Sequence, residues 1–366
     1  MSLDLFEKWA GIDVPVHGGT NLPDGIRDFS ISVNTVPVPV SVSDAYASAW
    51  DEIGIYPDAS NSLLAAAVSG CFNIPEKQLL MTNGSAEAFG LVASVFLGRG
   101  KKAMILSPCY SDYEHVSRLS GADIISYQLK AESSFKIDRF ELVSEISRYR
   151  PDLIWLCSPN NPTGVIMEQS LIDAAATAAA EYGGFVVVDE AYAAFAETAP
   201  PLIEKSEAEN IIIVRSLTKD FGVPGLRLGY LSASAEAVRI LGLHKPCWSI
   251  SGPAQKAGAA LMDEIVYYKK SWKETAVLKH ELVNEMRVLG VDPAAASENS
   301  CGIFIFFKAP ELPGGLSFAE LIYEQGVRVR DCSSMGAPGF CRIGVKQRVD
   351  NRFFIDALKL VLNKAG

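Results

Sequence analysis

LIWLCSPNNPTGVIMEQSLIDAAATAAAEYGGFVVVDEAY, residues 153–192, holds two continuous apolar runs with a helical pattern between them. LIWLCSP (153–159) and FVVVDEAY (185–192) lack the polar alternation of a half-exposed strand, so both are expected to be buried on two faces. The alanine-rich SLIDAAATAAAEYGG (170–184) closes on paired glycines, the usual end of a helix. Strand, helix, strand in this order predicts a mostly parallel sheet covered by helices on both faces. The alternation continues outward. MILSP (104–108) and IIIVRSLTK (211–219) are further strand candidates, and AEAFGLVASVFL (86–97) and DYEHVSRLSG (112–121) further helices.

The last hundred residues change character. EIVYYKKSWKETAVLKHELVNEMRVLG (264–290) is patterned as a long amphipathic helix. GIFIFFKA (302–309), a helix around FAELIYEQG (318–326), the short strands VRVRDC (327–332) and GFCRIGV (339–345), and a final helix follow. That is an α+β pattern. The expected organisation is α/β: a large domain over 46–265, and a smaller α+β domain built from 1–45 and 266–366. A chain of 366 residues is long enough for two such cores.

Composition narrows the partners. The net charge of −10 argues against a nucleic-acid backbone, which calls for clustered Lys and Arg. It leaves room for a small anion held by a local arginine pair. The seven cysteines form no C-x-x-C pair and the four histidines (17, 115, 244 and 280) form no cluster, so no metal site is expected and the thiols are expected to be reduced. The N-terminal MSLDLFEKWAGIDV lacks an apolar core like that of a signal peptide. No apolar run approaches the roughly 18 residues of a membrane span. The expected location is cytoplasmic, without a membrane partner.

In a sheet of this kind ligands bind beyond the carboxyl ends of the strands, and the residues there carry chemistry. TNGSAEAF (82–89) opens a helix with a Gly-Ser-Ala turn that offers free N–H groups to an anion, although such turns often bind nothing. Tyr110 follows the MILSP strand as either a core aromatic or a stacking platform. SPNNPTG (158–164) brackets Asn161 with prolines and so orients its amide. Asp189 ends a strand too apolar for an unpaired charge; an ion pair or a ligand would account for it. Ser216, Thr218 and Lys219 end the run IIIVRSLTK. A lysine at such a strand mouth is either a solvated charge or an amine whose pKa burial has lowered into the nucleophilic range. Together the anion-cradling turn, aromatic, oriented amide, buried carboxylate, hydroxyl and lysine match what pyridoxal phosphate needs.

SPNNPTG, VVVDEAY and SLTKDFGVPGLRLGY resemble the fold-type-I pyridoxal-phosphate enzymes of the aminotransferase class I/II superfamily, in the family's order and over nearly the whole chain. The resemblance implies a seven-stranded type of sheet, pyridoxal 5'-phosphate as cofactor, and Lys219 as its covalent anchor. It further implies Asp189 on the ring nitrogen, Asn161 and Tyr192 near the phenolic oxygen, and Tyr110 stacked on the ring. Ser85, Ala86, Ser216 and Arg227 would hold the cofactor phosphate. Tyr56 would reach the neighbouring subunit's phosphate, which implies a homodimer with shared active sites.

Within the superfamily, VHGG (16–19), RDFSISVN (27–34) and YPDAS (56–60) resemble the branch of threonine-phosphate decarboxylase, an enzyme of cobalamin synthesis, and histidinol-phosphate aminotransferase. That likeness implies a small amino substrate carrying a phosphate. Arg342 would take its carboxylate, and Arg330, His17 and Asn34 would lie near its phosphate, since a guanidinium fork suits both anions. Two segments depart from the decarboxylase pattern. Asn34-Thr35-Val36-Pro37 replaces Asn-Pro-Leu-Gly, and Pro246–Ser251 lacks the Asn of Pro-Trp-Ser-Val-Asn.

Overall fold

A computed structural model of the chain describes residues 11–16, 18–19, 22–196, 208–294, 297, 301–312 and 316–363. Its strands are β1 (Arg27–Asp28), β2 (Leu79–Thr82), β3 (Lys102–Ser107), β4 (Asp123–Gln128), β5 (Leu153–Cys157), β6 (Phe185–Asp189), β7 (Ile211–Ser216), β8 (Gly229–Ser232), β9 (Phe304–Lys308), β10 (Val327–Arg328), β11 (Arg330–Asp331) and β12 (Phe340–Gly344). Seven of them form the main sheet in the order β2-β8-β7-β6-β5-β3-β4. β8 runs antiparallel to both neighbours, and every other adjacent pair is parallel.

The uninterrupted apolar runs are explained by two cores, one on each face of the sheet. Ile154, Leu156, Val186, Val188, Ile211 and Ile213 pack with the helix Gln169–Ala180 on one side. Their chain neighbours Trp155, Cys157, Val187, Ile212 and Val214 pack with the helix Gly84–Phe96 on the other. Successive side chains point to opposite faces, so a strand covered twice has no place for a polar residue. Three strands of this sheet, β2, β4 and β8, were not among the four expected. β4 (DIISYQ) is an edge strand and half-exposed. β2 and β8 have four residues each, too few to show a period.

β11, β12 and β9 make a separate antiparallel sheet, with Arg330 opposite Arg342. β1 pairs in parallel with β10 and buries Phe29 among Ile305, Ile322 and Phe354. The 24-residue helix Ile265–Val288 joins the two units. Tyr268 packs into the large unit, and Leu278, Leu282 and Met286 into the small one. The expected boundary at 45/46 needs correction, because it cuts the helix Val40–Ala47. Val42 on that helix is buried with Leu64, Ile250 and Leu261 of the large unit. No helix among the described residues is long and apolar enough to cross a membrane.

Candidate active site

Backbone hydrogen bonds beyond the strand ends hold the C-terminal edge of the sheet in register. Ser158 N–H donates to the Asp189 carbonyl (2.9 Å), and Glu190 N–H to that of Val214 (2.8 Å). Asp189 is therefore fixed between the Asn161 turn on one side and the Lys219 turn on the other. It is buried, with Oδ1 accepting from Ala191 N–H (2.8 Å) and Oδ2 from the Tyr113 hydroxyl (2.5 Å). Burial pushes its carboxyl up to about 6, while these two donors and the Lys219 ammonium oppose the rise.

Lys219 lies in the one-turn helix Leu217–Asp220 that follows β7. Burial, and then repulsion from Arg342 and Arg227, bring its ammonium down to about 8, against the pull of Asp189. About a tenth of the amine is then in the neutral, nucleophilic form at pH 7. Asn34 braces this turn from behind. Its N–H donates to the Lys219 carbonyl (3.1 Å), and its amide nitrogen to the Asp220 carbonyl (3.0 Å) and Ser271 Oγ (2.8 Å). Its Oδ1 accepts from Val36 N–H (3.3 Å). The amide is thus committed to the scaffold, which corrects its expected role beside a substrate phosphate. His17, the other residue expected there, lies outside the described residues.

The helix Gly84–Phe96 begins without a side-chain cap on its first-turn N–H groups, which include those of Ser85 and Ala86. Arg227 covers this end. A Cβ on Gly84, whose φ is +73°, would lie 2.6 Å from the Arg227 guanidinium. A Cβ on Gly229 would lie 2.8 Å from Ser85 N, so the turn presses directly on β8. Ser216 adds its hydroxyl, which is hydrogen-bonded to that of Thr218 (2.7 Å). Uncapped N–H groups, a hydroxyl and a guanidinium at one point form an anion cradle.

On the opposite side, buried Arg342 donates to Asn161 Oδ1 and to the Ser30 carbonyl (2.8 Å), and its Nε has no partner among the described residues. Tyr192 is buried edge-on to Phe304, with ring centroids 5.2 Å apart; burial raises its phenol to about 12 and Arg342 opposes this. Asn161, Tyr192 and Arg342 thus converge, with Arg342 also near enough to Lys219 to repel it. Arg330 Nη2 is tied to the Val16 carbonyl (2.7 Å) and Ser334 Oγ (3.0 Å), and lines a cleft of about 900 Å³ with Gly18, Ser30 and Arg328. Tyr110 stands edge-on to Tyr113 (5.7 Å) and Phe89 (6.3 Å). Tyr56 is exposed and stacks on Trp248, centroids 4.3 Å apart.

Two further residues, not singled out by the sequence patterns, stand at this edge. Tyr113 sits within an ordinary amphipathic helix pattern. Arg215 is the one charge inside IIIVRS, and that position was the available signal. Arg215 is buried between Glu190 (3.1 Å) and Asp220 (3.3 Å).

The anion cradle, the lysine with a lowered pKa and the buried carboxylate fit the phosphate, aldehyde carbon and ring nitrogen of pyridoxal 5'-phosphate in chemical type. The pattern of the family Aminotransferase class I and II matches residues 28–358. A histidinol-phosphate aminotransferase of Symbiobacterium thermophilum is 30% identical over 331 residues, covering 90% of this chain and 88% of that protein. The threonine-phosphate decarboxylase of Salmonella typhimurium is 27% identical, covering 93% and 92%. Among solved structures, the histidinol-phosphate aminotransferase of Clostridium acetobutylicum has a TM-score of 0.81 at 22% identity, covering 92% of this chain and 99% of that one. The aspartate aminotransferase of Thermus thermophilus with maleate has a TM-score of 0.81 at 20% identity, covering 92% and 91%.

Proposed function

We propose that this chain, which belongs to the aminotransferase class I and II family and so uses pyridoxal 5'-phosphate, acts on a small amino substrate that carries a phosphate, as a decarboxylase of threonine phosphate. The carrying observation is the register of Arg330 opposite Arg342 on β11 and β12. Directly opposed residues project on the same face of a sheet. Burial, then the charge of Arg342, holds the Arg330 guanidinium below its usual range. Neither arginine has a carboxylate ion-pair partner among the described residues. Two neighbouring guanidinium groups, neither so paired although Asp331, Glu320 and Glu324 line the same cleft, suit a ligand with two anionic groups, here a carboxylate and a phosphate.

Lys219 would hold the cofactor covalently, Asp189 would hold the ring nitrogen, and Ser85, Ala86, Ser216 and Arg227 would hold the phosphate. Tyr110 would pack against the ring, and Asn161 and Tyr192 would lie at the phenolic oxygen. When bound, the cofactor supplies an electron-accepting ring that stabilises negative charge at the substrate α-carbon. Arg342 orients the substrate carboxylate and Arg330 its phosphate, and their placement decides which α-carbon bond is aligned for cleavage. Lys219 Nζ would stand at the α-carbon to supply the proton that replaces the departing carboxylate, or, in transamination, to remove the α-proton.

Transamination of histidinol phosphate with 2-oxoglutarate is the second reading, favoured by the relatives named for that activity. Purified protein given threonine phosphate should release carbon dioxide. No carbon dioxide, with glutamate formed from histidinol phosphate and 2-oxoglutarate, would replace the first reading by the second. We also propose a cytoplasmic homodimer in which Tyr56 reaches the partner's phosphate cradle. The exposed apolar surface of Val40, Trp50, Ile53, Ile55, Tyr56 and Trp248 supports it, and sedimentation equilibrium tests it.

A further inference from the structure

We propose that Tyr113 is a positioning residue for Asp189, holding that carboxylate ionised and aimed for the cofactor's ring nitrogen. The inference rests on the reading of Asp189 as the ring-nitrogen partner. Tyr113 opens the helix Asp112–Leu119, just beyond β3, and its ring is clamped on three sides. It stacks on Trp155 with centroids 5.2 Å apart and planes 8° apart. It meets Phe89 edge-on at 5.3 Å, and Tyr110 at 5.7 Å. Trp155 is itself fixed, its Nε1–H donating to Ser117 Oγ (3.0 Å), and the Ser117 hydroxyl donates to the Tyr113 carbonyl (2.6 Å). A ring held in this way cannot swing, so its hydroxyl stays at Asp189 Oδ2, with the Cys157 thiol beside it.

A core tyrosine looking for any acceptor would be the plainer account, since buried phenols usually find one. This fold does not enforce that rule. The buried hydroxyls of Tyr182, Tyr230 and Tyr268 take no partner among the described residues. Tyr113 instead makes a 2.5 Å bond, in the range of hydroxyls that donate to an ionised oxygen. The other groups facing Asp189 are few. Ala191 N–H takes Oδ1. Lys219 favours the charged form from beyond β7, and Glu190 next along the chain disfavours it. Cys157 of β5, Tyr110 and Tyr192 are neutral neighbours whose own ionisation Asp189 suppresses, and burial keeps the Tyr113 proton in place well above neutrality. Tyr113 is therefore the side-chain donor that keeps a carboxyl with a titration midpoint near 6 mostly ionised at pH 7.

The test is the Tyr113→Phe variant of the apo-protein, followed by ¹³C NMR of carboxyl-labelled aspartate. Asp189→Asn identifies the Asp189 signal. Wild type should titrate near 6, and the Phe variant about one to two pH units higher, the size expected for a lost hydrogen bond to a charged group. Pyridoxal phosphate affinity, measured separately by equilibrium dialysis, should fall about two- to tenfold at pH 7 in the variant and recover by pH 9. An unmoved Asp189 midpoint in a folded variant overturns the proposal. A moved midpoint with unchanged affinity overturns the ring-nitrogen reading and leaves the Tyr113–Asp189 coupling standing. If Tyr113→Phe fails to fold, 3-fluorotyrosine at position 113 serves instead. As a stronger donor of the same shape it should lower the midpoint, and no change there overturns the proposal equally.

Discussion

Asp189 and Lys219 are each followed by an acidic residue, Glu190 and Asp220, and the two sets of charges are handled in opposite ways. Glu190 and Asp220 converge on one buried guanidinium, Arg215, at 3.1 and 3.3 Å. Among the described residues both carboxyls ion-pair with this one guanidinium, and the Asp220 carboxyl is held high. Burial pushes it up to about 7 against the pull of Arg215. Asp189 and Lys219, one residue away along each strand end, form no ion pair with each other; Asp189 is left with hydrogen-bond donors and Lys219 with repelling arginines. A cluster that only supports the fold compensates its charges within the protein. A site built for a ligand leaves them for the ligand to complete.

The largest effect expected on this contrast comes from Arg215→Met. Removing the cation strands two buried carboxyls, and urea unfolding should show a loss of about 3–5 kcal/mol. A loss below about 1 kcal/mol would erase the distinction between the two clusters. Next is Lys219→Met, which should stabilise the apo-protein by about 3 kcal/mol at pH 7. The folded-state pKa of Lys219 is depressed from 10.5 to about 8. The native state therefore binds fewer protons between those values, and wild-type stability rises with pH across that window. The variant should lack that rise. Asp220→Asn is read through the pH dependence of stability rather than its size at one pH. The folded carboxyl is raised from 3.8 to about 7, so wild type loses stability as pH climbs from 4 to 7. The Asn variant should show a shallower slope in thermal melts across that range.

How much of this was legible in the chain depended on how local the signal was. Asp189, Asn161 and Lys219 each end an apolar run or sit in a proline-bracketed turn, where a polar residue stands out against its neighbours. Asn34 sits in a coil with no period, and nothing in its neighbours indicates that its amide is used up behind Lys219. Tyr113 carries the same difficulty inside a helix, because a tyrosine on a buried helix face looks alike whether its hydroxyl meets a carboxylate or nothing. The boundary at 45/46 failed because Val42 packs on the helix Gly252–Asp263, about two hundred residues away in the chain.

By itself the sequence determined the α/β class, four strands of the main sheet and the polar residues that end them, because burial on both faces demands continuous apolar runs and makes each interruption informative. Only the tertiary structure decided which charges are paired, which asparagine is scaffold, and that Arg330 faces Arg342. Those outcomes depend on strand register and on contacts between segments far apart in the chain, and no local pattern encodes them.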